Sequence, residues 1–215
     1  MTIYNDALSE YIRKLFVPQD QALQAILEST PAKGLPAINI KPEEGRFLQV
    51  LARICGARKA VEIGTLGGYS GAWIARGLLP GGKLITLEIE PSRARVAREH
   101  FQLAGVADRV EIRLGDAHEI LRQIAPEGPF DFVFIDAEKT GYNAYFAWAV
   151  ENVRLGGVIA AHNIFRHGAI LQTSSQDEWV IATQEFNRQV AGDERVLTTV
   201  FPAGDGTLVS VKIAS

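Results

Sequence analysis

The 215-residue sequence has a single cysteine, Cys55, and no run of 18 apolar residues. One cysteine cannot form a disulfide within the chain, which predicts a reducing, cytoplasmic compartment. Without such an apolar run, the sequence predicts no membrane-spanning helix. Asp6 and Glu10 interrupt the first ten residues, which predicts that this segment is not a signal peptide.

The sequence also lacks an excess of charge of one sign. Lys and Arg number 22, Asp and Glu number 25, and the formal net charge is −3. This balance excludes the basic surface needed for non-specific nucleic-acid binding or for a polybasic membrane anchor. We therefore expect neither nucleic acid nor membrane as a partner.

The length predicts one domain over residues 1–215. Prolines and a glycine crowd together near residues 30–42, which separates an N-terminal helical extension, residues 1–41, from a core, residues 42–215. Apolar residues recur at helical spacing within the extension and predict two helices. Such helices pack on the core or form a lid or dimer arm, and the pattern does not choose between them.

The core alternates apolar runs with helical patterns. The runs rich in Val, Ile and Phe are Arg58–Ile63, Lys83–Ile89, Arg109–Leu114, Phe130–Asp136 and Gly157–Ala161. The helical patterns are Tyr69–Leu79, Ser92–Ala104, Ala117–Ala125, Tyr142–Asn152 and Asp177–Ala191. This alternation predicts an α/β fold with a parallel sheet. Arg195–Phe201 and Thr207–Ile213, joined by a turn, predict a terminal hairpin with one antiparallel strand.

A glycine-containing loop follows the first predicted strand. Its glycines permit a sharp turn and the close approach of a ligand. A dinucleotide fingerprint would need glycine at positions 64, 66 and 69, but Leu66 and Tyr69 stand at two of them. The sequence instead reads Glu-x-Gly-x-x-x-Gly from Glu62 to Gly68. This pattern disfavours a dinucleotide-dependent oxidoreductase.

An acidic residue ends the second predicted strand, as Glu88, and a second one, Glu90, follows. A carboxylate at such a strand end can accept two hydrogen bonds from a ribose diol. Glu88 lies near the expected spacing after the loop, so it is our first candidate, and Glu90 is the alternative.

Further segments carry a resemblance to a known family. They are Glu62-Ile63-Gly64-Thr65, Gly115-Asp116-Ala117, the fourth predicted strand continuing to Ala137-Glu138-Lys139, and Gly156–Asn163. Together they resemble the caffeoyl-CoA and catechol O-methyltransferase family, a small cation-dependent class, over about Ile12–Ile213. The resemblance implies a Rossmann-like class I methyltransferase fold, with a seven-stranded, mostly parallel sheet, a C-terminal antiparallel hairpin and helices on both faces.

The resemblance also implies the chemistry. Members of that family methylate one hydroxyl of a vicinal diphenol, using S-adenosylmethionine (SAM) and a divalent cation. By position, the residues expected at the SAM site are Ile40, Glu62, Gly64, Thr65, Gly68, Ser70, Glu88, Asp116, Ala117 and Asp136. The expected partner is then a small phenolic substrate. Because members of the family are commonly dimeric, the resemblance also implies a homodimer.

The same resemblance assigns Asp136, His162 and Asn163 to a metal and places Lys139 beside the reacting hydroxyl. The family has an Asp-Asn pair where this sequence has His162-Asn163. The fourth and fifth strands are neighbours ~4.8 Å apart, so their tips can converge on one ion. An imidazole ligand would weaken Mg²⁺ relative to Mn²⁺ and later transition metals.

Three alternatives for the site stay open. His162 can hydrogen-bond nearby without touching a metal, or it can act as general base in a metal-independent O-methyltransferase. The chain can also bind SAM without transferring its methyl group. Under the principal hypothesis, Asp136, Lys139 and His162 are the catalytic residues.

Overall fold

The computed structural model describes residues 5–215, which form eight α-helices and seven β-strands. The helices are α1 (Asp6–Phe16), α2 (Gln21–Ala32), α3 (Pro42–Ile54), α4 (Tyr69–Gly77), α5 (Pro91–Leu103), α6 (Ala117–Ile124), α7 (Tyr142–Asn152) and α8 (Glu178–Ala191). The strands are β1 (Lys59–Ile63), β2 (Lys83–Glu88), β3 (Val110–Leu114), β4 (Phe130–Ile135), β5 (Val153–His162), β6 (Val196–Phe201) and β7 (Thr207–Lys212). None of these helices combines the length and apolar character needed to cross a membrane.

The seven strands form one sheet in the order β3-β2-β1-β4-β5-β7-β6. Pairs from β3 through β5 are parallel, and β7 runs antiparallel to both β5 and β6. The predicted mostly parallel sheet with a terminal hairpin is therefore confirmed. Its strand order reverses between β1 and β4, where α/β sheets open a crevice for ligands.

Each face of the sheet packs against its own group of helices, because successive side chains of a strand point to opposite sides. On β4, Phe132 and Phe134 join one apolar cluster, which also receives Trp73 of α4 and Phe101 of α5. The alternate residues of β4 join a second cluster, under Phe186 of α8. Burial on both faces explains why the central strands read as continuous apolar runs.

The structure adds two features to the predicted elements. Helix α3 was not predicted, although Pro42 at its first position is a common helix start. Strand β5 begins at Val153 rather than at Gly157, because Phe130 pairs with Val153 before the register shifts. Helix α7 therefore passes into β5 without a loop.

The two helices of the N-terminal extension differ in their packing. Leu23 and Ile26 of α2 are buried and belong to the apolar cluster that α4 and α5 cover. Helix α1 contacts α3, while its Tyr11, Leu15 and Phe16 side chains are 58%, 59% and 64% exposed. Helix α2 thus packs on the core, and α1 leaves an apolar stripe open to solvent.

Candidate active site

A cavity of about 1020 Å³ lies along the carboxyl ends of the parallel strands. Most of the predicted site residues line it: Ile40, Gly64, Thr65, Ser70, Glu88, Asp116, Ala117, Asp136, Lys139, His162 and Asn163. Glu62 and Gly68, which were also predicted to bind the cofactor, are not among the lining residues. The strand ends therefore bring most of the predicted residues into one space.

The glycine loop passes directly against the tip of β4. Gly64 has a φ of +100°, and a Cβ at this position would stand 2.3 Å from the carbonyl oxygen of Asp136. Gly68 is the N-cap of α4, where a Cβ would stand 2.8 Å from the ring of Phe101. Gly64 therefore allows two strand ends to meet, whereas Gly68 serves helix packing.

The Glu88 carboxylate is held in place by backbone donors. Its Oε1 accepts from the N–H groups of Ile89 and Glu90 at 3.0 and 2.9 Å, and its Oε2 accepts from Leu66 N–H at 2.8 Å. Glu88 is buried yet lines the cavity, so Oε2 keeps an acceptor site for a ligand hydroxyl. Glu90, the alternative candidate, is exposed and lies outside the cavity lining.

Glu62 lies behind the wall of the cavity. Its two carboxylate oxygens accept from the hydroxyls of Ser70 and Thr86 at 2.6 and 2.7 Å, and its exposure is 0%. Burial raises the pKa of Glu62 to about 7, although the two hydroxyl contacts favour its charged form. Its placement supports an indirect role, in which it orients Ser70 at the cavity surface.

Asp136 and His162 meet on the cavity wall, where β4 and β5 end. His162 Nδ1 lies 3.3 Å from Asp136 Oδ2. The Lys139 ammonium lies 3.4 Å from Asp136 Oδ1 and 3.4 Å from Asn163 Oδ1. The tips of β4 and β5 thus converge as the sequence predicted, but a lysine side chain stands between the predicted ligands.

Glu44 of α3 completes this cluster and was missed by the sequence analysis. Its Oε1 lies 2.9 Å from His162 Nε2, and its Oε2 accepts from the Lys41 N–H at 2.8 Å in the first turn of the helix. Burial opposes a charge on the His162 ring, but the carboxylates of Asp136 and Glu44 outweigh it and raise the pKa of His162 to about 10.

The Lys139 side chain is only 3% exposed and is hydrogen-bonded to Tyr142. Its ammonium donates to the Tyr142 hydroxyl, which in turn donates to the His162 carbonyl at 2.9 Å. Burial lowers the pKa of Lys139, even though the nearby Asp136 carboxylate opposes that shift. A lysine in such a setting is suited to accept a proton.

Asp205 fixes the loop that follows β5. Its Oδ2 accepts from Asn163 Nδ2 at 3.3 Å, and its Oδ1 accepts from the His167 N–H at 2.6 Å. Asn163 and His167 both have positive φ angles, of 58° and 52°, a strained conformation for residues other than glycine. The hairpin turn that carries Asp205 therefore fixes the conformation of the loop that follows β5.

The placement of these side chains does not fit the predicted divalent cation. Both His162 ring nitrogens face carboxylates, and the Lys139 ammonium lies between Asp136 and Asn163. Within residues 5–215, no three or more His, Cys, Asp or Glu side chains form a set that could hold a metal ion. A divalent ion here would need His162 and Lys139 to leave these positions.

Comparison with known proteins gives consistent matches over nearly the whole chain. A family model described as O-methyltransferase matches residues 14–213. A catechol O-methyltransferase of Niastella koreensis is 41% identical over 197 residues, covering 91% of this chain and 89% of that protein. A catechol O-methyltransferase of Mycobacterium tuberculosis is 45% identical over 172 residues, covering 80% of this chain and 78% of that one.

Solved structures give the same result. The crystal structure of an O-methyltransferase from Bacillus cereus, in complex with SAH, superposes with a TM-score of 0.88 at 42% identity. The match covers 96% of this chain and 97% of that one. Sequence relatives and solved structures therefore match this chain over most of its length.

Replacing Glu88 with alanine should weaken SAM binding. The loss of a charge-assisted contact to the ribose costs ~2–3 kcal/mol, or roughly 30- to 150-fold in affinity. Calorimetric titration with SAM measures this, with Glu88→Gln to separate charge from shape. Glu90→Ala, at the exposed neighbour, is the matched control and should leave the affinity unchanged. Equal affinities for Glu88→Ala and the wild type would contradict the assignment.

The ionisation of Glu62 should make the ligand-free protein less stable as the pH rises. The folded-state pKa of Glu62, about 7, lies above its ordinary value of 4.5. The stabilising contribution of the protonated Glu62 carboxyl is therefore fully present below about pH 4.5. It is lost as the pH rises to about 7, and it amounts to roughly 3 kcal/mol of unfolding free energy. Glu62→Gln removes this slope in denaturant unfolding measured at pH 5 and pH 8, whereas the exposed control Glu151→Gln keeps it. Parallel curves for wild type and Glu62→Gln would mean that Glu62 ionises normally.

Proposed function

The chain belongs to the O-methyltransferase family, and we propose that it transfers a methyl group from SAM to one hydroxyl of a catechol-like small molecule. The observation that carries the proposal is that a carboxylate suited to bind a ribose and a lysine suited to accept a proton line the same cavity. Glu88 and the Gly64 loop line the part that we assign to the methyl donor, and Lys139 lines the part that we assign to the acceptor. The two catechol O-methyltransferases that resemble this chain support the choice of acceptor.

The donor end suits SAM rather than a dinucleotide. The SAH complex of the Bacillus cereus relative supports binding of the same type of cofactor. Glu88 offers a carboxylate to a ribose, and the glycine loop lacks the spacing that a pyrophosphate requires. Asp116 caps α6 by accepting from the Glu119 N–H at 3.0 Å, which leaves Ala117 as an apolar wall for an adenine.

The acceptor end suits a phenolic hydroxyl. A free phenol has a pKa near 10, so the nucleophile must lose its proton during the reaction. The acceptor oxygen forms a bond to the methyl carbon, the carbon–sulfur bond breaks, and the hydroxyl proton goes to Lys139 Nζ. Lys139 accepts this proton as the neutral amine, the form that burial favours by lowering its pKa. The sulfonium supplies the activated methyl group, so the protein chiefly orients the two reactants and takes up the proton.

Lys139→Met should abolish most of the methyl transfer without affecting SAM binding. Removal of a positioned proton acceptor costs roughly 10²- to 10⁴-fold in kcat. The assay follows methyl ethers formed from a panel that includes catechol, 3,4-dihydroxybenzoate and phenol. Lys59→Met, at an exposed strand start, is the control and should retain full activity. The proposal fails if the wild type binds SAM yet methylates no member of the panel.

We also propose that the chain assembles as a homodimer through α1 and α3. Tyr11, Leu15 and Phe16 are exposed on α1, and Val50 and Ile54 are 40% and 76% exposed on the adjoining α3. Several large apolar side chains exposed on two packed helices are seldom left open to water, and the same helices of a second copy could cover them.

Light scattering at micromolar concentration should give about twice the mass of one chain. Leu15→Glu places a charge in the proposed interface and should yield monomers, whereas Glu28→Lys, elsewhere in the extension, should not. A wild type that scatters as a monomer would rule out this interface.

A further inference from the structure

His162 is held on both edges of its ring. Nδ1 faces Asp136 Oδ2 at 3.3 Å, and Nε2 faces Glu44 Oε1 at 2.9 Å. An ionised carboxylate accepts hydrogen bonds and donates none, so each contact requires an N–H on the ring. A metal ligand needs a free lone pair on one ring nitrogen, and these contacts leave none.

The second feature is the position of Lys139. Its ammonium is equidistant, at 3.4 Å, from oxygens of Asp136 and Asn163. These are the two oxygen donors that the sequence predicted for a cation. The Tyr142 hydroxyl and 3% exposure restrict where the lysine side chain can go.

The third feature is that Glu44 itself is fixed. Its Oε2 is bound to the backbone at Lys41, which closes the first turn of α3. Glu44 is 3% exposed, and the Gly204 backbone packs against its carboxylate so closely that a Cβ there would collide with it. The carboxylate therefore cannot swing away from His162 without disturbing both α3 and the hairpin turn.

We propose that the His162 ring, clamped between Glu44 and Asp136, takes the place of the divalent cation, so that methyl transfer in this protein needs no bound metal. Lys139 adds its positive charge beside the phenolate once its amine has taken the hydroxyl proton. Glu44 is then a positioning residue, because it acts through His162 and does not itself receive the proton. The inference rests on the proposed function only for its activity readout, because metal binding can be measured without turnover.

The charges around His162 support the replacement of a divalent cation by the side chains of this protein. The His162 ring, with an N–H on both nitrogens, faces the carboxylates of Asp136 and Glu44 at 3.3 and 2.9 Å, and Lys139 Nζ lies 3.4 Å from Asp136. A divalent ion placed among them would be repelled by the charged His162 ring and would have to displace Lys139 Nζ from Asp136. The His162 ring, and Lys139 after it has taken the proton, can stabilise the phenolate without that penalty.

The first test measures Mn²⁺ binding by electron paramagnetic resonance, in which bound Mn²⁺ loses the sharp signal of the free ion. The wild type with SAM present should leave the free-ion signal undiminished, and its methylation rate should survive chelation with EDTA. His162→Asp restores an oxygen donor and releases Glu44, so it should take up about one Mn²⁺ per chain.

Two results would overturn the proposal. One is uptake of Mn²⁺ by the wild type, with or without loss of activity in EDTA. The other is a His162→Asp variant that still ignores Mn²⁺, because His162 would then not be the group that excludes the metal. If the wild type neither binds Mn²⁺ nor methylates any acceptor, the proposed function fails, and only the inference that His162 excludes a metal from the site stands.

The second test concerns Glu44. Glu44→Gln keeps the shape but loses the charge that holds the His162 ring, so kcat should fall at least about tenfold while SAM affinity stays constant. Glu43→Gln is the matched control, since Glu43 is also buried on α3 but contacts Ser9 outside the cavity. Equal kcat values for Glu44→Gln and Glu43→Gln, or a parallel loss of SAM affinity, would show that Glu44 is merely structural.

Discussion

The contact between the Gly64 loop and the Asp136 carbonyl sets the geometry of the whole cavity. The two strand ends touch there, with Asp136 N–H donating to the Ile63 carbonyl at 2.9 Å and no room for a Cβ at Gly64. The loop carries the donor side of the cavity, and Asp136 begins the acceptor side. A backbone contact between them therefore fixes the separation of the two reacting groups, which methyl transfer in line with a sulfonium requires.

Sequence alone predicted the sheet well because its strands are buried on both faces. Continuous runs such as Phe130–Ile135 leave little choice of structure, and the turn residues after Phe201 identify the hairpin. The same reasoning placed Asp136 and His162 together, since parallel strands end at one edge. The family resemblance, by contrast, placed Glu62 at the cofactor site, but the side chain of this strand residue points to its hydroxyl partners behind the loop.

Glu44 could not be predicted in the same way. It lies 118 residues from His162 in the chain, and no local pattern connects them. Pro42 and the acidic first turn could have indicated helix α3, but not which of its carboxylates would face the cavity. The effect of a histidine at position 162, where the family has an aspartate, therefore depends on a distant helix. The histidine ring nitrogen contacts Glu44, whereas an aspartate would repel that carboxylate.

The N-terminal extension contributes to the donor side through a histidine that the sequence left without a role. His100 Nδ1 donates to the Gly67 carbonyl at 2.7 Å, and its Nε2 lies 2.6 Å from the Ser29 hydroxyl of α2. A carbonyl can only accept, so Nδ1 carries the proton, and the neutral ring then accepts from Ser29. Burial lowers the pKa of His100, which favours that neutral form. Helix α2 is thereby tied to the loop beside Gly64, so the extension supports the cofactor site as well as the apolar core.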